Sequence, residues 1–207
     1  MDNYIVLDLE TQKLSDEVEG GWNNIKDFGV AVAICWHEGH YKLKEGFFSI
    51  HADWNDATQR PAIDALSDKG IYVWDIDLLI SYLESAPLIV SFNGIKFDYE
   101  VLRPYGLKPE LLYPKSFDIL DRMKKVLGHR VSLESVAQAT LGVGKTGSGT
   151  EAVRFWKEGK LDAVIDYCKM DVDITKRIYE FIQKHGFCYY LNLNRESCRT
   201  PCLTDDR

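Results

Sequence analysis

Asn3-Tyr4-Ile5-Val6-Leu7-Asp8-Leu9-Glu10 is a short apolar run that ends in two acids. Such a run suits a buried strand whose C-terminal end is functional, because acids disfavour strand interiors and need a reason to stand there. On a strand, residues i and i+2 point to the same side, so the Asp8 and Glu10 carboxylates can reach one metal ion. The plainer reading is that the strand stops there and its acids are solvated.

The rest of the chain supplies a mixed α/β pattern. Residues 27–36 and 40–50 read as two further strands of a hairpin, with the turn near Glu38 and Gly39. Residues 52–70 are mixed and polar and fit no element clearly. Residues 76–86 have helical spacing that Pro87 breaks, and residues 88–93 are another apolar strand candidate. Helices are expected from Phe97 to Arg103 (stopping before Pro104), over 117–128, over 132–142 with Ser132 as N-cap, and over 151–159. A long helix from residue 161 is closed by Gly186. Strands first, with helices threaded between them, predict an α/β layer fold. The expected division is one domain over residues 1–190 and a polar C-terminal tail over 191–207, disordered from Cys198 onward. The aromatic segment 187–190 reads either as a last short strand or as an apolar patch for a partner.

Two more segments carry acids in informative places. Asn93-Gly94-Ile95-Lys96-Phe97-Asp98 follows the apolar strand candidate, so an Asn-Gly turn delivers Asp98 to the start of a helix. Asp at a helix start is often only a cap. Tyr167-Cys168-Lys169-Met170-Asp171 lies inside the long helix, where i and i+4 share a face. An Asp on the buried side of that helix is costly unless it is paired or holds a metal. Asp166 and Asp173 compete for the same reading.

Together these segments resemble the DEDD superfamily of 3′→5′ exonucleases, in the subclass with a Tyr in its third motif. Asp8 and Glu10 match the Asp-x-Glu motif, Asn93, Phe97 and Asp98 match the second, and Tyr167 with Asp171 matches the third. The resemblance covers residues 4–182 and selects Asp171 over Asp166 and Asp173. It is nearest to the exonuclease domains of family-B DNA polymerases and to stand-alone bacterial RNase H-like exonucleases. It implies an RNase H-like mixed central sheet flanked by helices, and hydrolysis of single-stranded nucleic acid from 3′ ends, with DNA favoured over RNA. The implied cofactors are two divalent ions, Mg²⁺ or Mn²⁺, which prefer carboxylate oxygen. On this resemblance Asp8 bridges both ions, Glu10 and Asp171 serve the ion on the nucleophile side, and Asp98 helps hold the other. Tyr167 orients the attacking water, and Asn93 and Phe97 line the site for the terminal nucleotide. Asp118 matches a position near the substrate channel, although an ordinary helix cap explains it equally well.

The glycine-rich stretch Gly142-Val143-Gly144-Lys145-Thr146-Gly147-Ser148-Gly149 is not a nucleotide loop. A Walker A motif needs Gly where Ala139 stands, and the formal G-x-G-x-x-G match follows a helix rather than a strand. The stretch reads as a loop beside the substrate channel, with Lys145 placed to touch phosphates.

Bulk properties narrow the setting. The formal charge of −7 disfavours a non-specific nucleic-acid binder. It is compatible with a nuclease whose carboxylates are offset by bound cations. Five cysteines at positions 35, 168, 188, 198 and 202 show no paired spacing and read as free thiols. Cys198 and Cys202 lack the His pair a zinc site would need. The sequence starts with an acid at position 2 and contains no membrane-length apolar run, so a cytoplasmic protein is expected. With no polymerase, helicase or binding domain attached, targeting is expected to come from a protein partner or a homo-oligomer. Two other readings share the residues: an inactive RNase H-like module that binds nucleic acid or a partner, and a hydrolase of dinucleotides.

Overall fold

The computed structural model describes residues 3–38, 46–144 and 149–203. Lys145 and the turn residue Gly39 lie outside them. The apolar N-terminal run forms β1 (Ile5–Thr11), which is the middle of the architecture. Two β-rich segments follow as β2 (Val30–His37) and β3 (Phe47–Ala52), each antiparallel to the strand before it. The chain then crosses through α1 (Arg60–Asp68), the short β4 (Trp74–Asp75) and α2 (Ile76–Ser85) to reach β5 (Ile89–Ser91). β5 runs parallel to β1, with Ile5 opposite Ile89 and Val6 opposite Val90. α3 (Asp98–Leu102) and α4 (Pro109–Leu112) lead to β6 (Ser116–Asp118), parallel to β5. The resulting six-stranded mixed sheet has the order β4-β3-β2-β1-β5-β6.

Alternation along β1 explains the two layers of core. Ile5, Leu7 and Leu9 face a cluster that contains Leu79 and Leu83 of α2 and Tyr99, Val101 and Leu102 of α3. Val6 faces the opposite cluster, which gathers residues of α5 (Ile119–Leu127), α6 (Leu133–Leu141) and α8 (Leu161–His185). Strict period 2 therefore puts Asp8 and Glu10 on the α8 side. Helix α8 buries an apolar stripe including Val164, Ile165, Cys168, Val172, Ile178 and Ile182, and Gly186 ends it with φ 80°. Helix α7 (Gly149–Lys157) precedes it. No helix of the described residues is long and apolar enough to cross a membrane.

Two local expectations are corrected and one is extended. The helix read over 117–128 begins only at Ile119, because Phe117 and Asp118 pair with Val90 and Ser91 as β6. Aromatic Phe117 fits a half-buried pleat, and extended Asp118 can pair as strand and cap the following helix together. The α-helix α3 stops at Leu102, before Pro104 as expected, and a 3-10 helix over Arg103–Tyr105 follows with Pro104 in its first turn, where no N–H is needed. The C-terminal segment is ordered well beyond Cys198. Phe187–Leu191 (β7) pairs antiparallel with Ser197–Pro201 (β8), and Cys202 is buried. Polar side chains hid this strand, since Ser197, Arg199 and Pro201 are exposed and only Thr200 is buried. All five cysteines are free thiols, as the spacing predicted.

Buried histidines tie the sheet edge together. His51 Nδ1 bonds Asp75 O at 3.1 Å, His51 Nε2 meets Ser49 Oγ at 2.9 Å, and Ser49 Oγ meets His37 Nε2 at 2.7 Å. Because a carbonyl only accepts, His51 donates from Nδ1 and accepts from Ser49 at Nε2. Burial pushes its pKa down to about 4. Its contribution to stability is therefore complete above the unfolded value near 6.5 and is lost as pH falls toward 4. His51→Gln is expected to melt lower than the wild type at pH 7.5. The gap in Tm should narrow steadily between pH 6.5 and 4.5 in a thermal-melt series, and a constant gap would contradict the neutral, buried His51.

Candidate metal centre

The C-terminal half of β1 presents Asp8, half-buried, and Glu10, buried, to one turn of α8. That turn contributes Asp171, also buried. One carboxylate oxygen from each of the three lies within 4.8 Å of the other two. Three like charges at that separation and burial repel one another strongly unless protons or cations intervene. The oxygen-only donor set is that of a hard divalent ion. Tyr167, one turn before Asp171, is buried on the same helix.

Asp98 is not part of this close group and approaches from α3. It is buried, and its Oδ1 has no hydrogen-bond partner among the described residues. Burial raises its pKa to about 7, with the negative charge of Asp118 adding to the rise, while its own N–H and that of Leu9 pull the other way. The Leu9 backbone that acts on it lies between Asp8 and Glu10 on β1. Cys168 packs against the cluster at Asp8. Its thiol donates weakly to Asp8 O at 3.4 Å and to Asp8 Oδ2 at 3.6 Å. Burial first, then the charges of Asp8, Glu10, Asp171 and Asp98, push that thiol well above its ordinary range. It stays protonated, as a packing residue and weak donor, not a ligand. A carboxylate oxygen left unsatisfied beside a cluster of three fits a divalent cation, which needs acceptors that nothing else has taken.

A cavity of about 580 Å³ opens against Glu10 and is lined also by Trp22, Phe28, Phe97, Leu14 and Val153. Three of those side chains form an aromatic group: Trp22 lies 5.5 Å from Phe28 and 6.0 Å from Phe97 between ring centroids, and Phe28 meets Phe97 edge-on at 6.0 Å. Trp22 is 65% exposed, an unusual position for so large an apolar ring. Nearby, an ion pair between Lys157 and Glu17 joins α7 to the segment after β1.

The structure thus brings Asp8, Glu10 and Asp171 together, sets Asp98 on the adjoining backbone, and lines the neighbouring cavity with Phe97. Asn93 is not among the residues lining that cavity and forms the turn before α3, with φ 74°. Lys145 lies outside the described residues. Sequence reading passed over Trp22, although a Trp directly after Gly20-Gly21 in a polar stretch is a signal for an exposed aromatic. Asp118 proves to be the N-cap of α5, accepting from Asp121 N–H, and it also bonds the turn of Asn93.

Comparison with known proteins adds the family and the fold. Residues 46–183 match the model of a family described as the RNase_H superfamily. No curated protein matches the sequence. Among solved structures, a family B DNA polymerase from the hyperthermophilic archaeon Pyrobaculum calidifontis superposes with a TM-score of 0.51 at 13% identity, over 88% of this chain and 25% of that one. A structure of exonuclease I gives a TM-score of 0.48 at 15% identity, over 89% of this chain and 41% of that one. The chain therefore spans a quarter to about two-fifths of the length of these structures, and at such identities the likeness concerns the fold.

A divalent ion that binds only the folded chain stabilises it by roughly 2.7 kcal/mol at a hundred times Kd, which is on the order of 5–11 °C in Tm for a chain of this size. Melting with Mn²⁺ or Mg²⁺ against EDTA should show a shift of this order. In Asp171→Asn the shift should collapse. A wild-type Tm indifferent to both ions would sink the metal centre.

Proposed function

The chain belongs to the RNase H superfamily, and we propose that it is a metal-dependent 3′→5′ exonuclease acting on single-stranded nucleic acid. The observation that carries this reading is the meeting of two features at Glu10: the three-carboxylate cluster and an aromatic cavity of a size that takes a nucleoside. A phosphodiester next to a terminal base held against Trp22 and Phe97 would lie over the carboxylates. Base stacking on aromatic faces is tolerant of sequence, which suits removal of successive nucleotides.

In this reading Asp8, Glu10 and Asp171 hold divalent metal, and Asp98 supports it from the α3 side. Bound Mg²⁺ or Mn²⁺ supplies Lewis acidity, which sharpens a water nucleophile and stabilises the leaving oxyanion. Tyr167 orients that water through its hydroxyl; with an ordinary pKa near 10 a tyrosine is a poor base by itself, so its part is positional. Glu10, shared by cluster and cavity, would set the metal beside the place of the terminal nucleotide. Phe97 and Trp22 hold the terminal base, and burial of Glu10 and Asp171 limits stray water. Preference for DNA follows from the resemblance to polymerase exonuclease domains, and polarity from the motif set.

Incubation with 5′-labelled single-stranded DNA and RNA in Mg²⁺, Mn²⁺ or EDTA is expected to give a metal-dependent ladder shortening from the 3′ end, stronger on DNA. Asp8→Ala with Asp171→Ala should abolish it. A folded, metal-binding protein that cleaves neither strand would point to a dinucleotide hydrolase or an inactive module instead. Trp22→Ala is expected to raise KM about 10-fold, in line with roughly 1–3 kcal/mol per stacked base, with kcat within about threefold. An unchanged KM would remove Trp22 from the substrate site.

A further inference from the structure

Strands β5 and β6 end side by side, with Ser91 opposite Asp118. From Ser91 the chain enters the turn that delivers Phe97 and Asp98. That turn has little room for variation. Asn93 adopts φ 74°, in the left-handed region that only a few residue types tolerate. A Cβ on Gly94 would stand 2.5 Å from Ser91 Oγ and 2.6 Å from Ser91 Cβ. Within the turn, Lys96 N–H and Phe97 N–H donate to Asn93 O, and Tyr99 N–H donates to Gly94 O.

The N–H groups of Asn93 and Ile95 go to a side chain from the neighbouring strand. Asp118 Oδ1 accepts from Asn93 at 2.9 Å, and Oδ2 accepts from Ile95 at 3.1 Å. Oδ1 also accepts from Asp121 N–H at 3.1 Å, which caps α5. Asp118 is only 2% exposed. A helix cap needs the Asp121 bond alone, so the other two bonds ask for another reason. They require an acceptor-only group with two oxygens, which among neutral-pH side chains means a carboxylate. A second tie runs alongside: Ser116 gives its hydroxyl proton to Leu112 O at 2.8 Å, so Tyr99 OH donates to Ser116 Oγ at 2.7 Å. Helix α3 is thus fastened to β6 at Asp118 and at Ser116.

We propose that Asp118 is a positioning residue for the metal centre: its carboxylate grips the Asn93–Ile95 turn and thereby fixes where Asp98, packed beside Gly94 of that turn, stands. The inference rests on reading Asp98 as a metal-holding residue. Asp118 touches neither substrate nor metal and acts only through the turn. Replacement by Asn keeps an oxygen for Asp121 and Asn93 but turns an NH₂ donor toward the Ile95 N–H. The turn then loses its grip while the cap survives.

The test compares Asp118→Asn with Ser132→Ala, a change at the cap of α6, where Ser132 Oγ accepts from Ser135 N–H at 3.1 Å. Both are followed by Tm, Mn²⁺ affinity, kcat and KM on a single-stranded oligonucleotide, and hydrogen exchange over residues 92–98. Asp118→Asn should lose about 10-fold or more in Mn²⁺ affinity and kcat, the range seen when support behind a metal ligand is removed. KM should stay within about twofold, and exchange at Ile95, whose acceptor is lost, should accelerate. Ser132→Ala should lower Tm and change none of these. Wild-type Mn²⁺ affinity, kcat and exchange in Asp118→Asn would overturn the inference and leave Asp118 a plain cap. A wild-type protein that neither binds Mn²⁺ nor cleaves would sink the nuclease reading. Exchange over 92–98 would then decide alone, with faster exchange in Asp118→Asn supporting the grip on the turn and unchanged exchange overturning it.

Discussion

Mutual repulsion between Asp8, Glu10 and Asp171 is the constraint that the rest of the molecule answers to. Three carboxylate oxygens within 4.8 Å of one another, on residues mostly shielded from water, oppose folding in the metal-free chain. Something must hold β1 and α8 together against that repulsion. The holding comes from apolar burial on both sides of the charges. Val6 and Ile34 below, and Val164, Cys168 and Val172 along the helix, belong to one continuous core cluster. At about 1.5–3 kcal/mol per fully buried aliphatic side chain, a handful of such residues outweighs the repulsion. A divalent cation in the cluster would relieve that repulsion further.

The sheet topology explains why the acids cluster at one end. β1 lies between antiparallel β2 and parallel β5, so its C-terminal end faces the same edge as the C-terminal ends of β5 and β6. Ligands of open α/β sheets gather outside the C-terminal ends of parallel strands, where loops and helix starts converge. Here those ends supply Glu10 directly, Asp98 through the turn after β5, and Asp118 as the last residue of β6. The net charge of −7 then fits the proposed function: part of it is concentrated where cations would neutralise it, and the neighbouring cavity offers aromatic faces.

Several elements could be read from the chain alone because their signals were local. The apolar run over residues 3–10 marked the strand, and the i, i+2 spacing put Asp8 and Glu10 on one side; the long helix showed through its length and Gly186 at its end. Ser132 caps α6 as read. Other elements escaped because their reasons lie in distant residues. Phe117 and Asp118 look helical in sequence and become a strand because Val90 and Ser91 lie beside them. Residues 197–201 look like a polar tail and become a strand because β7 offers them an edge.

What the sequence determined by itself was the chemistry: the acids, the tyrosine on the face of Asp171, the Asn-Gly turn and the two periodicities, all of which depend on spacing within a few residues. The tertiary structure decided which of those groups meet. Whether Asp171 faces β1, whether Asp98 joins the cluster or stands apart on Leu9, and whether Trp22 belongs beside Phe97 are distances between segments far apart in the chain. Such distances are set by how the two core layers pack against the sheet, and no local pattern encodes them. The second hold of Asp118 belongs to the same class: as a cap it is a matter of three residues, and as the grip on the Asn93 turn it exists only because β5 and β6 lie side by side.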